Sequence, residues 1–324
     1  MARYIIRRIL ISIPVLLGIT VITFFLLHAS GDPMAVYASN PSITAEDLAR
    51  LEKTYGFDKP VYIQYLYWLR NIITGDWGQS FLTHRDVLVM ILERLPNTLI
   101  LMVTAFVVTV LISVALGIYA ATHKYSLGDY IVTTISFFGY SMPSFWFGLM
   151  LIIIFAVKFK EWGWLYLPAA GMYPIREEPS FVELLKHLVL PVAVLSLNSI
   201  ARYSRYLRSS MLEVLNQDYV RTAHAKGLAG HVVVGRHALK NAFIPLLTLI
   251  MLDIPFLFGG ALIVEQVFAW PGMGRMYWEH AVWVDYPVLM GILVLISILV
   301  VLCNLIADIS YAFIDPRIRL QTQR

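Results

Sequence analysis

Three carboxylates lie inside otherwise apolar stretches of this sequence, at Asp253, Glu265 and Asp308. An ionised carboxylate at the centre of a membrane helix costs at least about 2.5–3.5 kcal/mol, so it usually faces protein or water. Such a residue can relay protons or cations, or it can pair with a neighbouring helix. For Asp253 both roles stay open, and for Asp308 we favour pairing. Nothing resembling a regularly spaced ladder of acids connects the three residues.

The sequence lacks the motifs on which several enzyme classes depend. It has no G-x-x-x-x-G-K-[ST] phosphate loop, no H-E-x-x-H and no G-x-S-x-G, and its 8 histidines are scattered. We therefore expect no catalytic residue, no metal site and no cofactor in this chain. The single cysteine, Cys303, excludes an internal disulfide framework.

Apolar segments long enough to cross a bilayer dominate the chain. Charged residues make up only 14% of it, too few to cover a soluble surface of 324 residues. Four charge-free runs cover residues 9–27, 99–121, 131–157 and 288–307. At about 1.5 Å per residue, each run can cross a hydrocarbon core of about 30 Å. Residues 188–201 and 243–268 form two less clean segments. The sequence therefore predicts an all-α integral membrane protein with six transmembrane helices.

The distribution of charge sets the expected orientation. With a cytoplasmic N-terminus and six crossings, the inside segments hold 14 Lys and Arg against 4 acids, and the outside segments hold 11 against 14. This positive-inside pattern places both termini in the cytoplasm, in a bacterial or archaeal cell membrane. It also requires the short segment 188–201 to cross, so we expect its helix to start near residue 181. The first apolar run resembles a signal peptide, but its length favours an uncleaved helix.

The first outside segment predicts a small helical unit. Thr44 can cap a helix that Gly56 ends, and residues 61–74 form a second expected helix that Gly75 stops. Four aromatic residues in the second helix suit a membrane interface. A cap packed on the membrane and a docking surface for an outside partner both fit this composition.

Proline and glycine predict two further local features. Pro143 lies in the third apolar run, where a proline usually kinks the helix, and kinked helices often line pathways. Pro271 and Gly272 fit a type II turn, and Trp270 before them fits an anchor at the membrane interface. We therefore expect a kinked third span and a tight outside turn after the fifth.

Residues 219–245 form a basic, glycine-punctuated stretch, YVRTAHAKGLAGHVVVGRHALKNAFIP. We expect Asp218 to be the N-cap of a helix over residues 219–226 and Gly227 to be its C′ residue. A second helix is expected over residues 232–239. Asn241 should then cap the fifth span, with Pro245 in that span's first turn.

Two explanations fit this stretch. Anionic lipid would account for its charge alone. Docking of a helix into the groove of a cytoplasmic protein would also account for its caps and for the small side chains of Ala223, Ala225 and Ala229.

The sequence resembles the permease subunits of binding-protein-dependent ABC importers, in particular the dipeptide, oligopeptide and nickel branch. The motifs that carry the resemblance are RYIIRRIL, SGDP, GDWGQSF, GYSMPSFW, RSSMLEVLNQDYVRTAHAKGL, EQVFAWPGMGR and DPRIRL. In the family's loop motif, Glu-Ala-Ala precedes a glycine and an apolar-proline element. Here residues 221–223 read Arg-Thr-Ala, Gly227 matches the glycine, and Ile244-Pro245 matches the end. The two replaced residues and the longer glycine-to-proline interval look like the peptide branch.

The resemblance implies a type I ABC importer permease fold and a set of partners. These are a homologous second permease subunit, two ATPase subunits that bind ATP and Mg, an extracytoplasmic substrate-binding protein and membrane lipid, with no nucleic acid. It implies that residues 221–228 couple to the ATPase: Arg221, Thr222, Ala223, His224, Ala225, Lys226, Gly227 and Leu228. Candidates for the translocation pathway are Ser141, Pro143, Asn198, Asp253 and Glu265.

We expect three parts along the chain. Residues 1–94 would form the first span and the outside segment, residues 95–314 the permease core with its coupling loop 202–242, and residues 315–324 a cytoplasmic tail. The main alternative is a proton-coupled secondary transporter that uses the span carboxylates, and a membrane enzyme is a third. Dipeptides, longer peptides, glutathione-like compounds, oligosaccharides and nickel chelates all remain open as substrates.

Overall fold

The computed structural model describes residues 2–32, 34–38, 43–174 and 178–314, with the side chains of 2–5, 35–36 and 307–314 left out. The tail expected at 315–324 and the side chain of Asp308 lie outside the described residues. The regular elements that the structure describes are helices, and an isolated β-bridge joins Gln79 and Asp86. This confirms the all-α class expected from the sequence.

Thirteen helices follow one another in the described ranges. They are α1 (Ala2–Ser30), α2 (Ala35–Ala38), α3 (Ala45–Tyr55), α4 (Val61–Thr74), α5 (Val87–Thr122), α6 (Leu127–Ser141), α7 (Ser144–Glu161), α8 (Phe181–Leu215), α9 (Asp218–Ala225), α10 (Gly230–Phe258), α11 (Leu262–Val267), α12 (Met273–Ala281) and α13 (Tyr286–Ile314). Helices α1, α5, α8, α10 and α13 are long and apolar enough to cross a membrane, and the pair α6–α7 makes a sixth span if it counts as one. The expected number of six is confirmed on that count.

The third span is broken more sharply than the expected kink. Helices α6 and α7 meet at an angle of 108°. Met142 is extended at φ −77° and ψ 130°, as a residue before proline prefers. Pro143 is the N-cap of α7, and it ends the hydrogen bonding of α6 because proline has no N–H to donate.

Local sequence signals placed several helix ends correctly. Thr44 and Asp47 form a reciprocal capping box at the start of α3, and Gly56 ends that helix in the left-handed conformation. Gly75 ends α4 in the same way. Helix α8 begins at Phe181, which confirms the extension that charge placement required.

The chain folds into two compact units. One comprises residues 1–98, 258–262 and 271–324, and the other comprises residues 99–257 and 263–270. The division between them falls inside α5.

Two apolar clusters form the core of the first unit. In one, Phe24 of α1 lies edge-on against the rings of Tyr65 and Tyr286, and the Tyr286 hydroxyl donates to the Phe24 carbonyl at 2.8 Å. In the other, Gly291 of α13 lies so close to α5 that a β-carbon there would stand 2.5 Å from Val87 Cγ1. This contact requires glycine.

A buried carboxylate ties the loop before α5 to the start of α13. Asp285 is 0% exposed and accepts hydrogen bonds from Ser80 Oγ at 2.6 Å and from the Phe81 N–H at 3.1 Å. His280 Nδ1 lies 2.8 Å from the carboxylate and donates to it, because an ionised carboxylate only accepts. Burial raises the pKa of Asp285, but these hydrogen bonds outweigh it, so that pKa lies below its usual range.

The second unit is held by packing around α8. Its largest cluster joins Tyr203 and Leu207 of α8 to Leu246 of α10. Arg208 of α8 donates from both Nε and Nη2 to Asp129, at 2.7 Å each. Asp129 lies in the first turn of α6 and is only 2% exposed. Such a two-pronged contact fixes orientation as well as distance.

Two expectations about the segment after α11 are wrong. Trp270 is not an interfacial anchor, because its indole is 0% exposed and packs in a cluster with Leu101 and Leu188. Pro271 and Gly272 do not form a type II turn, which needs a φ of about +80° at the glycine. Gly272 has φ −102° and stands at the N-cap of α12, where its carbonyl accepts from the Met276 N–H.

We expect Asp285→Asn to lower the melting temperature of the detergent-solubilised protein at pH 7. The amide keeps the size of the side chain but loses charge-assisted hydrogen bonds, for a cost of about 1–3 kcal/mol. The pKa of Asp285 is lower in the folded protein than in the unfolded chain. Its contribution to the free energy of unfolding is therefore complete above the unfolded pKa and is lost as pH falls through the folded pKa. The difference from the wild type should therefore narrow between about pH 5 and pH 3.

The exposed Asp58 gives the matched control, since Asp58→Asn should leave the melting temperature at pH 7 unchanged. A difference between Asp285→Asn and the wild type that stays constant down to about pH 3 would contradict the assignment.

Candidate functional site

Helix α9 lies between the two long helices α8 and α10 and contains most of the expected coupling residues. Its N-cap is Gln217, which makes no capping hydrogen bond with its side chain. The expectation that Asp218 caps the helix is wrong, because Asp218 is already the first helical residue. Its carboxylate is almost fully exposed and lies 3.7 Å from Arg221 Nη1.

The predicted end of α9 is confirmed. Gly227 has φ +75°, and its N–H donates to the His224 carbonyl at 2.9 Å. A β-carbon on Gly227 would meet nothing within 4 Å, so the position favours glycine for its backbone conformation alone. Helix α9 therefore ends in an exposed left-handed turn.

The inner face of α9 is anchored on its neighbours. Val220 and Ala223 are buried with Val233 of α10, and Val214 and Leu215 of α8 pack against them. Ala223 was expected to keep the outer surface of the helix small, but it is 5% exposed and faces this cluster.

The outer face of α9 and the turn after it are open. Its exposed side chains are those of Arg221, Thr222, His224, Ala225, Lys226, Leu228 and Ala229. Of the three small residues expected there, Ala225 and Ala229 are the exposed ones. The outer face of α9 therefore combines positively charged side chains with small ones.

The second helix expected in this loop is instead the first part of α10. That helix runs on from Gly230 through a π-helical stretch, Val233–Ala238. Asn241 and Pro245 therefore lie inside α10 rather than at its start. Asn241 does not cap a helix, and its Nδ2 donates to the Tyr219 hydroxyl of α9 at 2.9 Å. This bond is a second link between α9 and α10.

Three of the pathway candidates lie near the break between α6 and α7. Ser141 and Pro143 line an open recess of about 630 Å³ whose other walls are mainly aromatic. The Ser141 hydroxyl donates to the Phe137 carbonyl in its own helix at 2.9 Å. Asn198 of α8 reaches the same region, with its Nδ2 3.5 Å from the Tyr140 carbonyl.

The two span carboxylates have different surroundings. Asp253 accepts hydrogen bonds from Arg202 and from the Tyr203 hydroxyl, both on α8. Of the two roles left open for Asp253, this contact corresponds to pairing with a neighbouring helix. Glu265 is 0% exposed in α11, where its backbone carbonyl accepts from the Trp270 N–H at 2.8 Å. Among the described residues, no three His, Cys, Asp or Glu side chains are placed to hold a metal ion.

Two arginine contacts in this unit were not predicted from the sequence. Arg208 pairs with Asp129 across 79 positions of sequence, which no local pattern could reveal. The guanidinium of Arg205 lies over the rings of Phe137 and Tyr140, at 5.0 and 5.5 Å from their centres. The spacing of arginines on α8, at three-residue intervals, was the available signal.

Two protein families together match nearly the whole chain. Residues 113–320 match a family described as "Binding-protein-dependent transport system inner membrane component", and residues 1–102 match the corresponding N-terminal family.

Several curated relatives align over nearly their whole lengths. The oligopeptide transport system permease protein AppB of Bacillus subtilis is 44% identical over 98% of this chain and 99% of its own. The di/tripeptide permease protein DppB of Pseudomonas aeruginosa is 39% identical, over 99% of this chain and 100% of its own. The dipeptide permease protein DppB of Escherichia coli K12 is 35% identical, over 98% and 99%.

We expect the contact of Arg202 with Asp253 to show as a coupling in a double-mutant cycle. Arg202→Gln and Asp253→Asn should each destabilise the protein, and the double variant should lose less than their sum by about 1 kcal/mol or more. The reason is that each single change leaves a charged group without its partner. Thermal unfolding in nanodiscs measures all four proteins.

The matched control pairs Asp253→Asn with Arg205→Gln, one turn further along α8. Because Arg205 does not bond to Asp253, those two changes should add. Additive effects for the pair of Arg202 and Asp253 would contradict the contact.

Proposed function

Because this chain belongs to the family of binding-protein-dependent transport system inner membrane components, we propose that it forms half of a translocation pathway for di- and oligopeptides. It is a multi-pass membrane permease, and the family and membrane location expected from its sequence are confirmed. Permeases of this class work with ATPase and substrate-binding proteins. The observation that carries the peptide proposal is full-length similarity to relatives named as oligopeptide, di/tripeptide and dipeptide permeases.

In the proposed assembly, a homologous second permease chain completes the pathway and two ATPase subunits stand on the cytoplasmic side. ATP and Mg are bound by those subunits, and hydrolysis takes place there. An extracytoplasmic binding protein delivers the peptide. The absence of a phosphate-loop motif from the sequence supports this division of labour.

The outer face of α9 is the proposed contact with the ATPase. Arg221, Lys226 and Leu228 are exposed there, and the small Ala225 lets a groove come close. The inner face is fixed to α8 and α10 by the cluster around Val220 and by the bond from Asn241 to Tyr219. A displacement of α9 would therefore be passed directly to two long helices.

Energy for transport would enter through this contact. ATP can shift the permease between inward-open and outward-open states only if the ATPase subunits bind ATP with different affinity in the two states. Ser141, Pro143 and Asn198, beside the break between α6 and α7, are the proposed lining of the pathway in this chain. Asp253 and Glu265 stay pathway candidates on the expectation from sequence alone.

A proton-coupled secondary transporter is the competing function. It would need Asp253 or Glu265 to take up and release protons, whereas Asp253 is engaged by Arg202 and Tyr203. Uptake into vesicles that lack the ATPase subunits, driven by a proton gradient, would favour this competitor and would refute the importer.

We expect Ala225→Trp to weaken binding of the ATPase subunits at least about tenfold, a change of about 1.4 kcal/mol. The added bulk stands on the outer face of α9 and prevents close approach, while the inner face keeps its packing. Copurification of the ATPase subunits and ATP-driven peptide uptake in proteoliposomes are the two measurements.

Lys124→Trp is the matched control, because Lys124 is exposed in a segment that charge placement assigns to the same membrane side. It should leave both measurements unchanged. Normal uptake and normal copurification with Ala225→Trp would show that α9 does not dock the ATPase.

A further inference from the structure

One face of α8 carries a continuous stripe of polar side chains. Its members are Arg202, Arg205, Tyr206, Ser209, Ser210 and Glu213. Their spacing of three and four residues places them on the same side of the helix over about three turns. Charge placement assigns this end of α8 to the cytoplasmic side, where polar side chains face water or protein.

These residues line an open recess of about 520 Å³, closed on one side by Pro245 of α10. Within the described ranges, the hydroxyls of Tyr206, Ser209 and Ser210 make no hydrogen bond to protein. They are therefore available to a molecule in the recess.

The charges in the recess are divided between its two ends. Arg202 is taken up by Asp253, which leaves Arg205 as the available cation. Arg205 rests on Phe137 and donates its Nε to the Ala201 carbonyl at 3.1 Å. In the part of the chain that the structure describes, no carboxylate lies within ion-pair distance of Arg205.

Glu213 supplies the opposite charge. Its side chain is exposed, and among the described residues no cation lies within ion-pair distance of its carboxylate. A recess with one available cation and one available anion suits a zwitterion. A phosphate group fits it less well, because Glu213 repels a doubly charged anion.

The distance between the two charges matches a short peptide. Arg205 and Glu213 are eight residues apart, or about 12 Å along the helix axis at 1.5 Å per residue. An extended peptide spans about 3.3–3.6 Å per residue, so three or four residues cover this length. A free amino terminus at Glu213 and a free carboxylate at Arg205 would then both be paired.

We propose that this recess binds short peptides by their two charged termini, with the C-terminal carboxylate at Arg205 and the amino group at Glu213. The proposal rests on the proposed peptide import and adds a site within this chain that reads the ends of the peptide rather than its side chains. The hydroxyls of Ser209 and Ser210 lie between the two charges and can bond to the peptide backbone.

The test measures peptide binding to the complete transporter in nanodiscs, without the binding protein. Labelled tetra-alanine competes with unlabelled tetra-alanine, with its C-terminal amide and with its N-acetyl form. In the wild type, each capped peptide should compete about tenfold or more weakly, because it loses a charge-assisted bond.

The two variants should give crossed results. Arg205→Gln should remove the preference for a free carboxylate and keep the preference for a free amine, and Glu213→Gln should do the reverse. A variant that merely misfolds would instead bind none of the three peptides, which distinguishes it from a variant that binds all three equally. Arg236→Gln, an exposed arginine outside the recess, should keep both.

Three results would overturn the site. They are equal competition by all three peptides in the wild type, loss of both preferences in both variants, and competition by inorganic phosphate as strong as by tetra-alanine. A fourth result would also overturn the site: the Arg205→Gln variant loses the second permease chain but keeps both peptide preferences. Arg205 would then pair with a carboxylate of the second permease chain and not with the peptide.

ATP-driven uptake of tetra-alanine by the wild type separates this proposal from the proposed function. Uptake without the crossed pattern refutes the recess alone. Failure of uptake in the presence of the binding protein refutes peptide import, and with it the occupant proposed for the recess.

Discussion

A charged side chain can stay in an apolar helix only where a second polar group meets it, and in this protein that constraint acts mainly through α8. Arg208 binds Asp129 at the start of α6, and Arg202 binds Asp253 in α10. Each contact joins α8 to a different helix, so the two together fix its position and its rotation. The face left over carries Arg205 and the polar stripe, and the end of α8 supports α9.

Local chemistry made much of the fold predictable. Thr44 acts through hydrogen bonds to a residue three positions away, and Gly56 and Gly227 act through their own backbone conformation, so these effects can be derived from sequence alone. Pro143 predicted a disturbance in the third span for the same reason. The start of α8 was less local, because it followed from the requirement that positive segments share one side of the membrane.

Features that depend on a distant partner could not be predicted in this way. Trp270 carries the signal of an interfacial residue, but its neighbour Leu101 in the core lies more than 160 positions away. Asn241 is a good helix cap by type, yet α10 starts eleven residues earlier and turns it into a donor to Tyr219. Ala223 is buried in a cluster that leaves room only for a small side chain. The sequence alone could not distinguish this reason for an alanine from the need for a small side chain on an exposed surface.

The inward position of Ala223 separates two kinds of constraint on α9. Substitutions at the inner residues change how the helix is held, whereas substitutions at Thr222, His224 or Ala225 change only what it presents. In the proposed assembly, a few outward positions of α9 would decide which ATPase subunits the permease accepts. A chimera that exchanges those positions alone would then accept the ATPase subunits of another transporter, while the packing of its own helices stays the same.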